Sequence, residues 1–247
     1  MKTNSFENPA VVSPEKWLAA RRELLREEKE FTKFRDRLAA RRRGLPWVRV
    51  DKPYVFESPT GPVNLADLFA GRSQLIVYHF MLGPGWEEGC KSCSYVADHL
   101  APAVVHLQAR DVALAVISRA PLAEITPFKE RMGWTFNWVS SHDNDFNRDY
   151  HVSFTADELA QGQVYYNYGM KDFPAEEAPG LSVFARARNG GVYHSYSTYG
   201  RGLDQLIGTY MLLDLVPKGR EEDPEATMSW VRHHDRYDQP AGVVATH

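Results

Sequence analysis

Two cysteines carry the most evident chemistry in this sequence. Cys90 and Cys93 are the only cysteines among 247 residues, and two residues separate them. Cysteines three positions apart at the start of a helix lie on one turn, close enough to bond with little backbone movement. The same pair can also supply half of a tetrahedral zinc site. The spacing therefore predicts either reversible thiol–disulfide chemistry or metal binding.

Cys90 is the predicted attacking thiol, and Cys93 is the predicted resolving thiol. The first cysteine of such a pair lies nearest the helix N-terminus, where unpaired backbone N–H groups and the helix dipole favour a thiolate. That position lowers the pKa of a free cysteine from about 8.5 into the range of ~3.5 to 7.5. Lys91 adds a neighbouring positive charge, whereas Glu87 and Glu88 oppose the thiolate.

The metal alternative requires histidines, because the sequence has no second cysteine pair. His99 and His106 share a predicted helix face but are out of phase with the cysteines. We interpret them, together with His233 and His234 near the C-terminus, as solvated surface residues. His79, on the strand that leads to the cysteines, is the candidate for a redox or copper role. Outside this alternative, the sequence predicts no metal and no cofactor.

Strands alternate with helices on both sides of the cysteines. Compact apolar runs predict buried strands at 75–80 and 112–117, and alternating aromatic residues predict another at 134–138. Helical spacing follows the cysteines, with a kink at Pro102, and a further helix opens at Pro121 and ends at Gly133. A hairpin turns at 189–191, and a final helix covers 203–211. This order predicts an α/β fold, a thioredoxin-like mixed sheet flanked by helices.

The predicted domains are an N-terminal helical extension at 1–45, the thioredoxin-like domain at 46–218 and a polar C-terminal tail at 219–247. An insertion at about 140–180, with some helix near Thr155 to Gln161, precedes the closing hairpin. The extension reads as one helix that starts at Ser13 and Pro14 and runs to about Arg43. Apolar residues recur along it every seven positions, starting at Trp17. This stripe packs either on its own domain or in a homodimer, and the sequence leaves both interpretations open.

The composition is that of an ordinary globular protein. Apolar residues make up 43% of the chain, charged residues 25%, and the net charge is −3. These values predict neither a nucleic-acid nor a membrane partner. The first residues lack the apolar stretch of a secretory signal, so we expect a cytoplasmic protein. In a reducing compartment, a lone cysteine pair indicates redox chemistry or metal binding more than structural support.

Five segments resemble a known family. They are GCKSCS at 89–94, VISRAPL at 116–122, RMGWTF at 131–136, DFNRD at 145–149 and PGLSVF at 179–184. Over most of its length the chain resembles bacterial thioredoxin-like proteins labelled predicted dithiol–disulfide oxidoreductases (domain of unknown function family 899, thioredoxin/redoxin superfamily). The resemblance implies thiol–disulfide exchange with a protein or small-molecule disulfide or thiol.

By the same resemblance, Pro179 stands where thioredoxins carry a cis-proline that faces the cysteines. We therefore expect a cis bond before Pro179, with backbone groups at Ala178 and Pro179 pairing with an extended substrate. Trp86 and Lys91, beside the cysteines, complete the predicted substrate-binding set.

Two departures from the superfamily keep alternatives open. The sequence lacks the Trp-Cys-Gly-Pro-Cys motif of thioredoxin, so the redox potential is not fixed by the resemblance. It also lacks the Pro and Thr that peroxiredoxins place before the reactive cysteine to bind peroxide. A thiol peroxidase therefore ranks second to disulfide exchange among the enzyme hypotheses. The third hypothesis is a zinc or copper protein that uses the same cysteines. The fourth is a small-molecule binding protein whose pocket is lined by aromatic residues: Trp86, Trp134, Tyr165, Tyr166 and Tyr168.

Overall fold

The computed structural model describes residues 9–238 and divides the chain into two units, one ending at Pro46 and the other beginning at Trp47. The first unit contains one long helix, α1 (Pro14–Arg43). Its start confirms the prediction, because the Ser13 hydroxyl accepts a hydrogen bond from the Lys16 N–H and Pro14 occupies the first turn. No residue of α1 is buried, and the side chain of Trp17 is 59% exposed.

The second unit is built on a mixed sheet. Within the described residues, eight strands follow the order β1-β10-β9-β4-β5-β6-β2-β3, and a separate hairpin joins β7 to β8. Strands β4, β5 and β6 are parallel to one another, whereas β9 pairs antiparallel with β4. The strands are β1 (Val48–Arg49), β2 (Val55–Ser58), β3 (Gly61–Asn64), β4 (Gln74–His79), β5 (Val112–Ser118), β6 (Asn137–Ser140), β7 (Val164–Tyr166), β8 (Gly169–Lys171), β9 (Gly180–Arg186) and β10 (Val192–Tyr199).

Short helices connect these strands. They are α2 (Lys91–Leu100), α3 (Val104–Gln108), α4 (Leu122–Arg131), α5 (Phe146–Asp149), α6 (Ala156–Ala160) and α7 (Gly208–Leu213). A 3₁₀ turn around Pro102 separates α2 from α3, as expected from a residue that cannot continue a helix. The order of strand, cysteine-bearing helix, strand, helix, strand and closing hairpin confirms the predicted thioredoxin-like fold class.

Each face of the sheet is covered by its own apolar core. Successive side chains of β4 point to opposite faces, so Leu75 and Val77 enter one core and Tyr78 enters the other. Cys93 lies in the core that contains Tyr78. The central strand therefore decides which side of the molecule holds the cysteines.

Three parts of the sequence interpretation differ from the structure. The strand predicted at 134–138 begins only at Asn137, although Trp134 and Phe136 are buried as expected. The predicted helix at 203–211 is a 3₁₀ segment (Gly200–Leu206) followed by α7. The 140–180 insertion has the helix expected near Thr155 to Gln161, which is α6, but it also contains α5 and the β7-β8 hairpin. These further elements are only three or four residues long, which is too short to show periodicity.

The C-terminal segment, predicted as a polar tail, contains buried residues. Val231 and His233 are buried, so this part of the chain contributes to the packed interior of the second unit. Among the described residues, no helix combines the length and apolar character needed to span a bilayer.

The central position of β4 yields a test of the core. Leu75 has no exposed surface, whereas Leu215 is 80% exposed. Because Leu75→Ala leaves a cavity in a packed core, we expect it to lower the free energy of unfolding by about 2–5 kcal/mol. Leu215→Ala should change it by no more than about 0.5 kcal/mol. Urea unfolding followed by tryptophan fluorescence measures both, and equal losses would contradict this placement of the core.

Candidate active site

A tightly packed loop places Cys90 at the start of α2. The Cys90 N–H donates to the Met81 carbonyl (3.0 Å), which folds the loop back on itself. Gly89 immediately precedes the cysteine and lies against aromatic rings. A Cβ atom there would be 2.5 Å from a ring carbon of Phe80 and 2.7 Å from one of Phe128. Only glycine therefore allows the loop to approach the core this closely.

Cys90 is the N-cap residue of α2 and is partly buried. Its pKa is lowered to about 6, first because the Cys93 thiol donates a hydrogen bond to its sulfur. The backbone N–H groups of Cys93 and Ser92 and the charge of Lys91 lower the pKa further, while burial opposes them. The position thus favours a thiolate, as the helix N-terminus predicts.

Cys93 lies one turn into the helix and is buried. The two cysteines approach to within 3.9 Å of each other. Burial in the apolar core, followed by the interaction with Cys90, raises the pKa of the Cys93 thiol well above its ordinary value. The pair therefore combines an anionic sulfur with a protonated one.

Tyr78 is the further polar group at the inner cysteine. Its hydroxyl is buried and has no partner of ordinary hydrogen-bond geometry, yet it interacts with the Cys93 sulfur. Burial, and then the neighbouring cysteines, raise the pKa of Tyr78. The hydroxyl is therefore neutral and can donate a proton toward sulfur. The alternation of side chains along β4 predicts which sheet face Tyr78 lies on. It predicts contact with Cys93 only once the face that holds the cysteines is known.

The negative charge of Glu88, two residues before Cys90, is balanced by two arginines. Arg131 and Arg236 bind the Glu88 carboxylate at 2.9 and 2.7 Å. Burial raises the pKa of Glu88, but these arginines and His233 outweigh it, so that the pKa is lowered overall. The Lys91 ammonium donates to the Ser229 carbonyl (3.2 Å).

His233 corrects the interpretation of this histidine as a solvated surface residue. Its side chain is buried, and Nε2 donates to the Gly89 carbonyl (2.9 Å), directly before Cys90. This contact between residues far apart in the sequence gives no local pattern. His106, in contrast, is exposed as expected, and His99 is half-buried and bonded to Tyr95 and Thr209.

A cavity of about 230 Å³ opens beside the cysteines. Its walls come from α2, from the 3₁₀ segment before α7 and from the C-terminal segment. Side chains that line it include Tyr78, Cys90, Cys93, Pro179, Leu203 and Met228. Of the residues predicted to bind substrate, Pro179 lines this cavity together with the two cysteines. No local sequence pattern marks Leu203 or Met228 as residues that line this cavity.

The other predicted binding residues lie outside the cavity wall. The Trp86 indole donates to a carboxylate oxygen of Glu176 (3.2 Å), and Lys91 is exposed. Ala178 is buried, and its N–H donates to the Val152 carbonyl (2.8 Å).

The expected cis bond before Pro179 is absent. Among the described residues every peptide bond is trans, including the one between Ala178 and Pro179. Trans is the ordinary state of most X–Pro bonds. Here it is accompanied by hydrogen bonds on both sides, from the Ala178 N–H to Val152 and from the Tyr166 hydroxyl to the Pro179 carbonyl (2.7 Å).

The structure does not bring His79 to the cysteines. His79 lies on the opposite sheet face, stacked against Phe146 and Tyr150, with Nε2 hydrogen-bonded to the Ser182 hydroxyl (2.8 Å). Burial lowers its pKa to about 3. Among the described residues, no cluster of three or more His, Cys, Asp or Glu side chains is placed to hold a metal ion.

The predicted aromatic pocket is also dispersed. Trp134 packs in the core that contains the cysteines, and Tyr166 packs in a separate apolar cluster beside β7. Tyr165 and Tyr168 line a second cavity of about 360 Å³ on another part of the surface. The five aromatic residues therefore do not share one site.

Comparison with known proteins places the chain in a family. The family model described as "Bacterial protein of unknown function (DUF899)" matches residues 6–237. A search of curated protein sequences found no significant match.

Similar solved structures include peroxidoxin BcpB from Mycobacterium tuberculosis. That match has 12% identity and a TM-score of 0.42, and covers 67% of this chain and 95% of the other. A putative thiol:disulfide interchange protein DsbE from Chlorobium tepidum matches with 14% identity and a TM-score of 0.41, covering 67% and 97%. The bacterioferritin comigratory protein of Xanthomonas campestris matches with 14% identity and a TM-score of 0.41, covering 67% and 93%.

The hydrogen bond from Cys93 to Cys90 can be tested by alkylation. We expect the rate of Cys90 modification by iodoacetamide to titrate near pH 6 in the wild type. Cys93→Ala removes the donor and should raise the midpoint. Cys93→Ser retains a hydroxyl donor, so its midpoint should lie between those of the wild type and Cys93→Ala. Mass spectrometry of the Cys90 peptide over a pH series measures the midpoints. A single midpoint shared by all three proteins would show that the second thiol does not set the pKa.

The close approach at Gly89 gives a second test of the site. Gly89→Ala should displace the loop, because its Cβ meets the rings of Phe80 and Phe128. We expect a loss of about 1–3 kcal/mol in stability, together with an increase in the Cys90 pKa as the sulfur leaves the backbone N–H groups. Gly169→Ala is the matched control, since its Cβ has no neighbour within 4 Å. Unchanged alkylation kinetics in Gly89→Ala would contradict the proposed positioning.

Proposed function

The chain belongs to the family of bacterial proteins of unknown function DUF899, and within that family we propose that it acts as a thiol–disulfide oxidoreductase. Cys90 is the attacking thiolate and Cys93 is the resolving thiol. The observation that carries the proposal is the geometry of the pair: Cys90 is the N-cap residue of α2 and lines a cavity, and the buried Cys93 lies 3.9 Å from it. The opposite pKa shifts agree with it, because that of Cys90 is lowered to about 6 and that of Cys93 is raised. With a pKa of about 6, about nine tenths of Cys90 is thiolate at neutral pH, against a few per cent for an ordinary cysteine.

The proposed reaction has two steps. The Cys90 thiolate attacks one sulfur of the substrate disulfide, so that a mixed disulfide forms while the substrate S–S bond breaks and one thiolate leaves. Cys93 then loses its proton to the departing thiolate and attacks the Cys90 sulfur. The second substrate thiolate leaves as the Cys90–Cys93 disulfide forms. Two electrons pass from the protein to the substrate, and two thiols restore the protein by the reverse reaction.

The packing around the pair supports this order of events. Both cysteines line the cavity, but Cys90 is partly exposed, whereas Cys93 is buried in the core that contains Tyr78. A substrate therefore meets the more reactive sulfur first. When Cys90 enters a mixed disulfide it ceases to be an anion, and the interaction with an anionic Cys90 that raises the Cys93 pKa disappears. Formation of the mixed disulfide thus activates the resolving thiol.

Two alternatives from the sequence use the same cysteines. A thiol peroxidase would consume hydrogen peroxide in the presence of a thiol reductant. A metal-binding protein would retain stoichiometric zinc or copper after purification under reducing conditions. These measurements separate the alternatives from disulfide exchange.

The roles of the two cysteines can be distinguished with 5,5′-dithiobis(2-nitrobenzoic acid). The reduced wild type should release two equivalents of the coloured thiolate, because Cys93 resolves the first mixed disulfide. Cys93→Ser should release one and retain a mixed disulfide at Cys90. Cys90→Ser should react at least about tenfold more slowly, because the remaining thiol is buried and protonated. Absorbance at the thiolate band and intact mass report the results. A Cys90→Ser variant as fast as Cys93→Ser would reverse the assigned roles.

A further inference from the structure

The backbone around Pro179 is already engaged inside the fold. The Ala178 N–H donates to Val152, the Pro179 carbonyl accepts from Tyr166, and proline has no N–H of its own. These are the groups that would pair with an extended peptide substrate. The Ala178 N–H and the Pro179 carbonyl are therefore already bonded within the fold, which reduces the main-chain groups that a protein substrate could use.

The C-terminal segment closes the cavity from the other side. Residues 220–230, here named the C-terminal wall, contribute Met228 to its lining. Glu222 fixes the wall, because one carboxylate oxygen accepts hydrogen bonds from the Tyr210 hydroxyl (2.7 Å), the Met228 N–H (3.1 Å) and the Trp230 indole (2.6 Å). The wall is therefore anchored to the body of the second unit.

The charged groups at the cavity are paired with one another. Arg220 binds Asp214 (2.7 Å) and lies 3.9 Å from the centre of the Tyr210 ring. Arg201 pairs with Asp204 (3.2 Å). Arg220 is thus paired within the protein, Arg201 lies largely in solvent, and the apolar side chains of Leu203 and Met228 line the cavity with the cysteines, which favours an uncharged group beside the sulfur.

Met228 has an unusual backbone conformation. Its φ is +61°, in the left-handed region that residues other than glycine rarely adopt. Glu221, also in the wall, has φ +47°, but it is exposed and does not line the cavity. Uncommon backbone conformations persist where the surrounding structure holds them, often beside ligand sites. At Met228 the uncommon conformation belongs to a residue whose side chain lines the cavity together with the cysteines.

We propose that the site acts on low-molecular-weight disulfides whose sulfur-bearing end is uncharged, and that Met228 sets the size limit. This inference rests on the proposed disulfide exchange. A cavity of about 230 Å³ is smaller than the pockets of roughly 300–1000 Å³ that hold drug-sized ligands. The exchange is the two-step reaction given above: one substrate disulfide becomes two small thiols, and the protein dithiol becomes the Cys90–Cys93 disulfide.

The test compares three disulfides of increasing size: bis(2-hydroxyethyl) disulfide, glutathione disulfide and the interchain disulfides of insulin. Oxidation of the reduced protein is followed by stopped-flow fluorescence or quenched mass spectrometry. Each rate is divided by that of dithiothreitol with the same disulfide, which removes intrinsic differences in reactivity. We expect the normalised rate to be at least about tenfold higher for bis(2-hydroxyethyl) disulfide than for either larger substrate.

Met228→Gly should reduce this preference by about fivefold or more. Glycine tolerates φ +61° and removes the side chain, so the wall keeps its path while the cavity widens. Glu221→Gly is the matched control, because it makes the same kind of backbone replacement in the same wall at a residue outside the cavity lining; its preference should equal that of the wild type. Thermal unfolding of both variants verifies that they remain folded.

The outcomes distinguish this inference from the proposed function. Equal normalised rates for all three disulfides, or a preference that Met228→Gly leaves unchanged, would overturn the size limit while leaving disulfide exchange intact. A wild-type protein that reacts with none of the three would overturn both proposals.

Discussion

The hydrogen bond from the Cys93 thiol to the Cys90 sulfur makes two chemically identical side chains different. Cys90 is partly buried and Cys93 is buried, and burial alone would raise both pKa values. The bond lowers one and raises the other, because a sulfur that donates its proton toward a thiolate must remain protonated. Backbone N–H groups at the start of α2 add to the stabilisation of Cys90, whereas the Cys93 side chain lies in the apolar core. The difference in reactivity thus follows from position on one helix turn.

That position depends on contacts distant in sequence. The loop before α2 turns because Cys90 is bonded to Met81, and it lies close to the core because Gly89 has no side chain. His233 then fastens the Gly89 carbonyl from the C-terminal segment. The carbonyl of Gly89 would otherwise need another donor in this buried loop. The C-terminal segment therefore belongs to the site as much as the helix does.

Local signals in the sequence were sufficient for much of the architecture. Capping at Ser13 and Pro14 defined the start of α1, the apolar runs defined β4 and β5, and the Asn-Gly-Gly turn located the β9-β10 hairpin. Cys90 and Cys93 were likewise identified from their spacing alone. These features depend on neighbours within a few residues, which is the range over which sequence patterns carry information.

The remaining features of the site depend on long-range packing. His233 is a polar residue in a polar segment, so its burial against Gly89 had no local sign. The cis bond expected before Pro179 came from the superfamily resemblance, and the hydrogen bonds of Ala178 and Pro179 now show a different local solution. The segment from Ser140 to Gly180 read as irregular because its helices and strands are three to five residues long. These short elements are held in place by packing; for example, Phe154, Tyr166 and Tyr199 share one buried apolar cluster.

Enclosure and reactivity oppose each other at Cys90, and the fold reconciles them. Cys90 is partly buried beside the C-terminal wall, and partial loss of water by itself disfavours the anion. The thiolate remains favourable because the donors around it are already in place: the Cys93 thiol and the N–H groups of Ser92 and Cys93. An open cysteine at a surface helix could rely on water for the same purpose. A partly covered one depends more on fixed donors, and those donors belong to the residues that also line the cavity. The proposed preference for small disulfides is therefore linked to the same packing that lowers the Cys90 pKa.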